Sequence, residues 1–198
     1  MNNESLQPDY FEEIYAKSDD PWGFASREYE LHKYLDTMMH LPQTRYRAAF
    51  EPGCSIGVLS GMLAARVDHL LAVDVSEKAL ERARLRNLNK ENIDFQFMQF
   101  PREKPKGTFD LVLLSEVAYY WGDKEFDQAR DEVMHLLEPG GDLVLVHWTP
   151  FVEDYPLTGD EVHDRFIQFS QGSAQFLHLE GKRETSYRLD VFRKAEKA

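Results

Sequence analysis

Apolar and polar positions alternate in blocks along this chain, and the blocks change period as they go. The first apolar run ends near Glu51. After a turn holding Gly53 and Gly57, the residues Val58, Leu59, Met62, Leu63 and Val67 fall at helical spacing. Leu70 to Val73 predicts a second strand, and Ser76 is placed to cap a helix carrying Ala79, Leu80, Ala83 and Leu88 on one side. Asn89 to Asn92 breaks that helix; Ile93 to Met98 and Phe109 to Leu114 predict strands three and four. Asp123 is a candidate cap for a helix with Phe126, Ala129, Val133, Leu136 and Leu137 on its inner face. Pro139-Gly140-Gly141 ends it, and Leu143 to Trp148 predicts a fifth strand. A loop from Thr149 to Leu157 leads to a helix from about Gly159 to Phe169, opened by a Thr158-x-x-Glu161 capping box. Phe176 to Glu180 and Tyr187 to Phe192 predict two strands joined through Gly181 to Glu184 as a hairpin. Alternation of strands and helices from Phe50 onward argues for a mainly parallel sheet covered by helices.

Composition narrows this to one domain. A chain of 198 residues, 42% hydrophobic and 13% aromatic, has enough apolar surface for one well-buried core. No stretch approaches a membrane-spanning length, and the polar, acidic start from Met1 to Tyr10 lacks a secretory signal pattern, so a cytoplasmic protein is expected. The single cysteine, Cys54, fits that compartment and sits in the glycine turn as a small side chain. With 23 basic and 35 acidic side chains the net charge is −12, which opposes binding to a nucleic acid. The one basic cluster, Arg82, Arg84, Arg86 and Lys90, reads as the solvated face of a helix. An acidic chain is better suited to neutral or cationic substrates such as amines.

The chemistry begins at Glu51-Pro52-Gly53-Cys54-Ser55-Ile56-Gly57, followed by a second apolar run that ends in Asp74. Strand, glycine turn, helix, strand and carboxylate is the order of a nucleoside pocket: glycine permits close backbone approach, and the acid accepts hydrogen bonds from a ribose. The same order also describes a plain strand-to-helix turn. A dinucleotide loop needs glycines at three set positions, but Ser55 and Val58 stand where the second and third belong. The spacing Glu51-x-Gly53-x-x-x-Gly57 instead resembles motif I of the class I S-adenosylmethionine-dependent methyltransferases. That resemblance implies an α/β, Rossmann-like fold with a seven-stranded, mostly parallel sheet and a C-terminal antiparallel hairpin. It also implies S-adenosyl-L-methionine as cofactor.

In such sheets ligands sit beyond the carboxyl ends of the strands, so the strand ends supply the candidates. Gly53 and Gly57 would border the methionine part and ribose, Glu51 would orient the amino group or fix the loop, and Asp74 would take the ribose hydroxyls. Met98 and Gln99 end strand three, and the Gln99 amide suits the adenine edge. Ser115 and Glu116 end strand four at the reactive end. Glu116 is a candidate catalytic carboxylate, or a solvated loop acid. His147 ends strand five, where a neutral imidazole accepts a proton or binds a substrate amine. Tyr119, Tyr120 and Trp121 offer either a platform for a sugar ring or core packing. No short ligand spacing supports a metal site from His147, Asp154 and His163.

Two further segments narrow the family. Asp19-Asp20-Pro21-Trp22-Gly23 and Pro156-Leu157-Thr158-Gly159-Asp160-Glu161-Val162-His163 together resemble the nodulation N-methyltransferase (NodS) family over roughly Tyr10 to Arg193. The resemblance implies an N-terminal helical lid over 1–45, a cofactor-binding core over 46–148 and a substrate loop, helix and hairpin over 149–198. It implies transfer of a methyl group to the amine of a glucosamine-type saccharide or another small molecule. Trp22 is then a lid aromatic that packs on the cofactor or only on the core, and Lys33 either meets the cofactor carboxylate or is an exposed helix lysine. Asp160 and His163 either face the substrate together or form a surface pair. An O-methyltransferase of a small hydroxylated metabolite and a non-catalytic cofactor-binding module are the alternatives. Nucleic-acid amine methylases carry Asn or Asp before Pro-Pro-Tyr after strand four; Ser115-Glu116-Val117-Ala118 departs from that pattern.

Overall fold

The computed structural model describes residues 4–196. Contacts group the chain into two compact units, residues 7–99 and residues 100–196 with the short segment 4–6.

The 7–99 unit opens with two helices, α1 (Pro8–Lys17) and α2 (Glu28–Met39), where the lid helices are expected. Pro8 stands in the first turn of α1, where its missing N–H costs nothing. Three parallel strands follow, β1 (Tyr46–Pro52), β2 (Val67–Asp74) and β3 (Ile93–Phe97), in the order β3-β2-β1. Their register puts Pro52 opposite Val73 and Asp74 opposite Phe97, so the carboxyl ends of the strands are flush. Between β1 and β2, α3 (Val58–Leu63) is shorter than its apolar spacing suggests. A turn of 3₁₀ helix takes 64–66 and Val67 already begins β2. Helix α4 (Glu77–Arg86) is capped as expected by Ser76, whose hydroxyl accepts from the Ala79 N–H at 3.2 Å. Leu88 lies beyond its end and is exposed.

The second unit holds β4 (Phe109–Ser115), α5 (Asp123–Leu136), β5 (Leu137–Trp148), α6 (Gly159–Gln171), β6 (Phe176–Arg183) and β7 (Tyr187–Lys194). Strand order is β4-β5-β7-β6; β4 and β5 are parallel, and β7 is antiparallel to both its neighbours. Three boundaries differ from the pattern, one of them in the hairpin, where β6 runs on through Gly181, Lys182 and Arg183, paired with Asp190, Leu189 and Arg188, so the turn comes later than expected. Gly122, not Asp123, is the cap residue of α5, and β5 starts at Leu137 because that residue pairs with Phe109 before the register shifts. The Thr158 and Glu161 capping box is present in full. The sheet is thus seven-stranded and mostly parallel, with the terminal antiparallel hairpin expected.

Candidate active site

The glycine turn is held open by backbone geometry. Gly53 and Gly57 have φ of +77° and +71°, in the left-handed region where a side chain is strained, and Ser55 between them shares that region at +53°. The N–H groups of Gly53 and Cys54 both donate to the Val73 carbonyl, at 2.7 and 3.0 Å, which ties the turn to the end of β2. A methyl on Gly57 would stand 2.8 Å from the Asn87 amide and 2.9 Å from the Ala83 methyl, so only glycine lets α3 start there. Asn87 answers by donating to the Gly57 carbonyl at 2.9 Å.

Two buried carboxyls lie at this turn. Asp74 accepts from the Ser55 N–H at 2.8 Å and from the Ser76 N–H at 3.0 Å, one to each oxygen. Burial pushes its pKa up to about 6, and these backbone bonds hold it from rising further. Glu51 is 3% exposed and its Oε2 has no hydrogen-bond partner. Burial, with the charge of Asp74 adding to it, pushes the Glu51 carboxyl up to about 8. Cys54 beside them is buried and its thiol is raised by the same cause.

The Asp20-Pro21-Trp22-Gly23 loop has a mechanical explanation. Asp20 accepts from the N–H groups of Phe24 and Ala25 at 2.6 and 3.0 Å and from the Ser26 hydroxyl at 3.2 Å. Gly23 turns at φ +76°. The result presents Trp22 stacked on Phe24, with ring centroids 5.5 Å apart, and edge-on to Tyr15. Those rings share a cluster with Ile56, inside the glycine turn, and Val58, just after it, and Tyr15 shares a 2.5 Å hydrogen bond with the Ser55 hydroxyl. Trp22 therefore packs against the core of this unit. Helix α1 is fixed to α4: Glu12 takes the Ser76 hydroxyl at 2.5 Å and the Lys78 ammonium at 2.6 Å, while Arg82 donates to the Tyr15 carbonyl at 2.9 Å.

Lys33 is not an exposed lysine. It is 1% exposed, pairs with Glu30 at 2.8 Å and lies over the Tyr29 ring. After β3, Met98 is buried and donates its N–H to the Asp74 carbonyl at 3.1 Å; Gln99 is half-buried.

The second unit holds another constellation at the ends of β4 and β5. Ser115 is buried, and Glu116 turns at φ +57°, an unusual conformation for a residue with a side chain. Its N–H donates to the Val146 carbonyl at 2.9 Å, and its carboxylate Oε2 accepts from the Trp148 N–H at 3.1 Å and from the Tyr119 hydroxyl. Tyr119 stacks on Tyr155 at 5.0 Å, and Tyr120 meets both rings edge-on. Burial and the nearby Glu116 charge hold the Tyr119 hydroxyl well above the ordinary range, so it stays a donor.

His147 is placed differently from the expected proton acceptor. It is fully buried, and its Nε2 accepts from the Ala118 N–H at 3.1 Å. An amide N–H only donates, so the Nε2 lone pair is already committed and the ring is neutral with its proton on Nδ1. That Nδ1 lies 3.1 Å from His163 Nε2, and His163 Nδ1 lies 2.6 Å from Asp190 Oδ2. His163 is also fully buried, and burial lowers its pKa, which keeps it neutral. With His163 buried, Asp160 and His163 do not form a surface pair. Asp160 pairs with Arg183 and, at 3.7 Å, with Arg188. Among the described residues no group of His, Cys, Asp and Glu is arranged to hold a metal ion.

Several of these residues carry no signal in the linear chain. Tyr15 and Asp190 belong to no motif, Ser55 was read only as a departure from a dinucleotide loop, and Asp20 only as part of the segment before Trp22. Only the sites they bond to were legible.

Comparison with known proteins places the chain. The family model for nodulation protein S (NodS) matches residues 10–148. Nodulation protein S of Rhizobium tropici is 30% identical over 129 residues, which is 64% of this chain and 54% of that protein. Its counterpart from Bradyrhizobium diazoefficiens is 31% identical over 64% of this chain and 61% of its own length. The matches thus span little more than half the length of these relatives. A Pseudomonas syringae structure provisionally described as a methyltransferase is 33% identical, with a TM-score of 0.74 over 85% of this chain and all of that one. The N-methyltransferase NodS from Bradyrhizobium japonicum, in complex with S-adenosyl-L-homocysteine, has the same fold at 21% identity, with a TM-score of 0.82 over 96% of this chain and all of that one. With the family model covering well over half of its length, this chain belongs to the nodulation protein S family.

Proposed function

We propose that this chain, acting as a single domain in the cytoplasm, is an S-adenosylmethionine-dependent methyltransferase that methylates the amine of a small acceptor, a glucosamine-type saccharide above all. The observation that carries the reading is Glu51: a fully buried carboxyl beside a glycine turn, with one oxygen left unpartnered. An isolated buried polar atom is costly, and a ligand that brings a cationic amino group offsets that cost. The remaining residues suit the same ligand. Asp74 keeps acceptor capacity for a ribose hydroxyl beside its bonds to the loop N–H groups, and Gly53, half-buried, puts no side chain over the backbone there. Met98 and Gln99, after β3, suit an adenine edge. Trp22 offers an aromatic face to a sulfonium. Lys33 pairs with Glu30 in the interior. When bound, S-adenosylmethionine supplies a methyl group on a positively charged sulfur.

The chain's own task is to deliver an uncharged amine in line with that methyl and to keep water away. Glu116 is the group assigned to the amine. It directly follows β4, next to the buried Ser115, and its carboxylate is aimed by Trp148 and Tyr119. A carboxylate held this way accepts the amine's hydrogen bond and takes up its proton. Tyr119 and Tyr120 form the aromatic flank for the acceptor, and the acidic surface disfavours nucleic acid.

Calorimetry with S-adenosylmethionine and S-adenosylhomocysteine, followed by a labelled-methyl screen over glucosamines, amines and hydroxylated acceptors, tests the reading. Saturable binding of both and labelling of an amine are expected. In Glu116→Gln, turnover should fall by about 10²-fold or more with cofactor affinity unchanged. Labelling only of hydroxyl groups would correct the acceptor class, binding without transfer to any acceptor would make the chain a cofactor-binding module, and absence of cofactor binding would overturn the proposal.

A further inference from the structure

Three consecutive residues of β5 grip the segment that follows β4. Val146 accepts the Glu116 N–H, His147 accepts the Ala118 N–H, and Trp148 donates to the Glu116 carboxylate. Only the middle contact is made by a side chain, and that side chain stands at the end of a buried chain of hydrogen bonds. His147 passes its Nδ1 proton bond to His163, and His163 passes its own to Asp190. Both imidazoles are 0% exposed and Asp190 is 1% exposed. Asp190 is anchored in turn: Arg188 Nε donates to Oδ2 at 2.8 Å, and His178 Nε2 lies 2.6 Å from Oδ1. Gly181 makes room for this end, since a methyl there would stand 2.5 Å from Asp190 Oδ1.

The direction of the chain is fixed at both ends. The Ala118 amide donates and the Asp190 carboxylate accepts, so each imidazole between them must carry its proton on Nδ1 and its lone pair on Nε2. Reversing either ring would set two protons or two lone pairs against each other in a dry interior, and each such mismatch is costly.

We infer that His147 is a positioning residue: the His147, His163 and Asp190 relay locks its tautomer so that it seats the Ala118 amide and thereby holds Glu116 and Tyr119 in place for the acceptor. The inference rests on the assignment of Glu116 in the proposed reaction. The strained turn at Glu116 explains why such a device is needed. A left-handed non-glycine residue relaxes unless its neighbours overdetermine it. Two of the determining contacts come from backbone, and the third depends on the relay.

Two substitutions at one site separate this role from direct proton transfer. His147→Gln places an amide oxygen where Nε2 stands and preserves an acceptor for Ala118. His147→Asn places its amide where Nδ1 stands, keeps a donor for His163 and leaves Ala118 without its acceptor. With the wild-type enzyme and the best acceptor from the screen, His147→Asn should lower kcat about tenfold or more, with KM for the cofactor unchanged, while His147→Gln recovers turnover to within a few-fold. Equal and large losses in both variants would overturn the inference in favour of His147 as the proton acceptor, and full activity in both would overturn it outright. A second readout needs no turnover. Imidazole nitrogen NMR should show His147 and His163 both protonated on Nδ1, and amide exchange at Ala118 should quicken in His147→Asn but not in His147→Gln. A different tautomer in either ring, or exchange at Ala118 indifferent to the substitutions, would overturn the relay even if the chain proved to methylate nothing.

Discussion

Glu51 is kept protonated by the fold at neutral pH. Its pKa rises from an ordinary 4.5 to about 8, so the folded chain binds this proton more tightly than the unfolded chain does. The associated stability is full below pH 4.5 and is lost as pH rises toward 8. Asp74 runs in the same direction over the lower window from 3.8 to about 6. Urea midpoints of the ligand-free protein should therefore fall between pH 6 and pH 8, at up to about 1.4 kcal/mol per pH unit. Glu51→Gln, which carries no proton to lose, should flatten that slope. An identical slope in the variant would remove Glu51 as its source. Residues of this kind were legible because the turn around them has a fixed spacing. Lys33 was not, because nothing in a helical Glu-x-x-Lys pair reveals whether it faces water or, as here, Tyr29 in the interior.

Elements were read best where local chemistry decides them. Ser76 and the Thr158 and Glu161 pair announce their helices, and the structure builds both caps from the predicted atoms. Boundaries set by partners were missed: Val67 has helical spacing from Leu63 but joins β2 opposite Tyr46, and Leu137 leaves α5 to pair with Phe109. Helix α6 shows a further demand that spacing cannot express. It starts against the end of β5 so closely that a methyl on Gly159 would stand 2.2 Å from the Trp148 carbonyl oxygen. Gly159→Ala must push helix and strand apart. It should destabilise the protein by about 2–4 kcal/mol in chemical denaturation, well beyond the ordinary effect of adding a methyl to a helix. Tolerance of alanine there would mean that α6 is not held at this distance in solution.

Across the whole chain, the order of strands and helices was the most readable layer, because alternation of period survives without any knowledge of tertiary contacts. The buried relay was the least readable: His147, His163 and Asp190 come from β5, α6 and β7, and no short spacing links them. No helix among the described residues is long and apolar enough to cross a membrane. The net charge of −12 acts on the molecule as a whole, and it favours approach of cations. For an amine acceptor that is cationic in solution, kcat/KM should fall as ionic strength rises from about 0.01 M to about 0.15 M, where the screening length shrinks to roughly 8 Å. Neutral acceptors should show no such trend. A matching decline for neutral acceptors would assign the effect to something other than attraction of charge.

Ser55 and Glu116 are the two non-glycine residues in left-handed backbone among the described residues, and each carries a side chain bonded to an aromatic hydroxyl. Backbone conformation alone favours glycine at both positions, by roughly 1 kcal/mol each. A thermostability search guided by backbone preference would be drawn to these positions first, and it would strip out the hydroxyl that meets Tyr15 and the carboxylate assigned to the acceptor. An engineered form meant to last longer while still turning over should hold both positions fixed and seek its gains elsewhere.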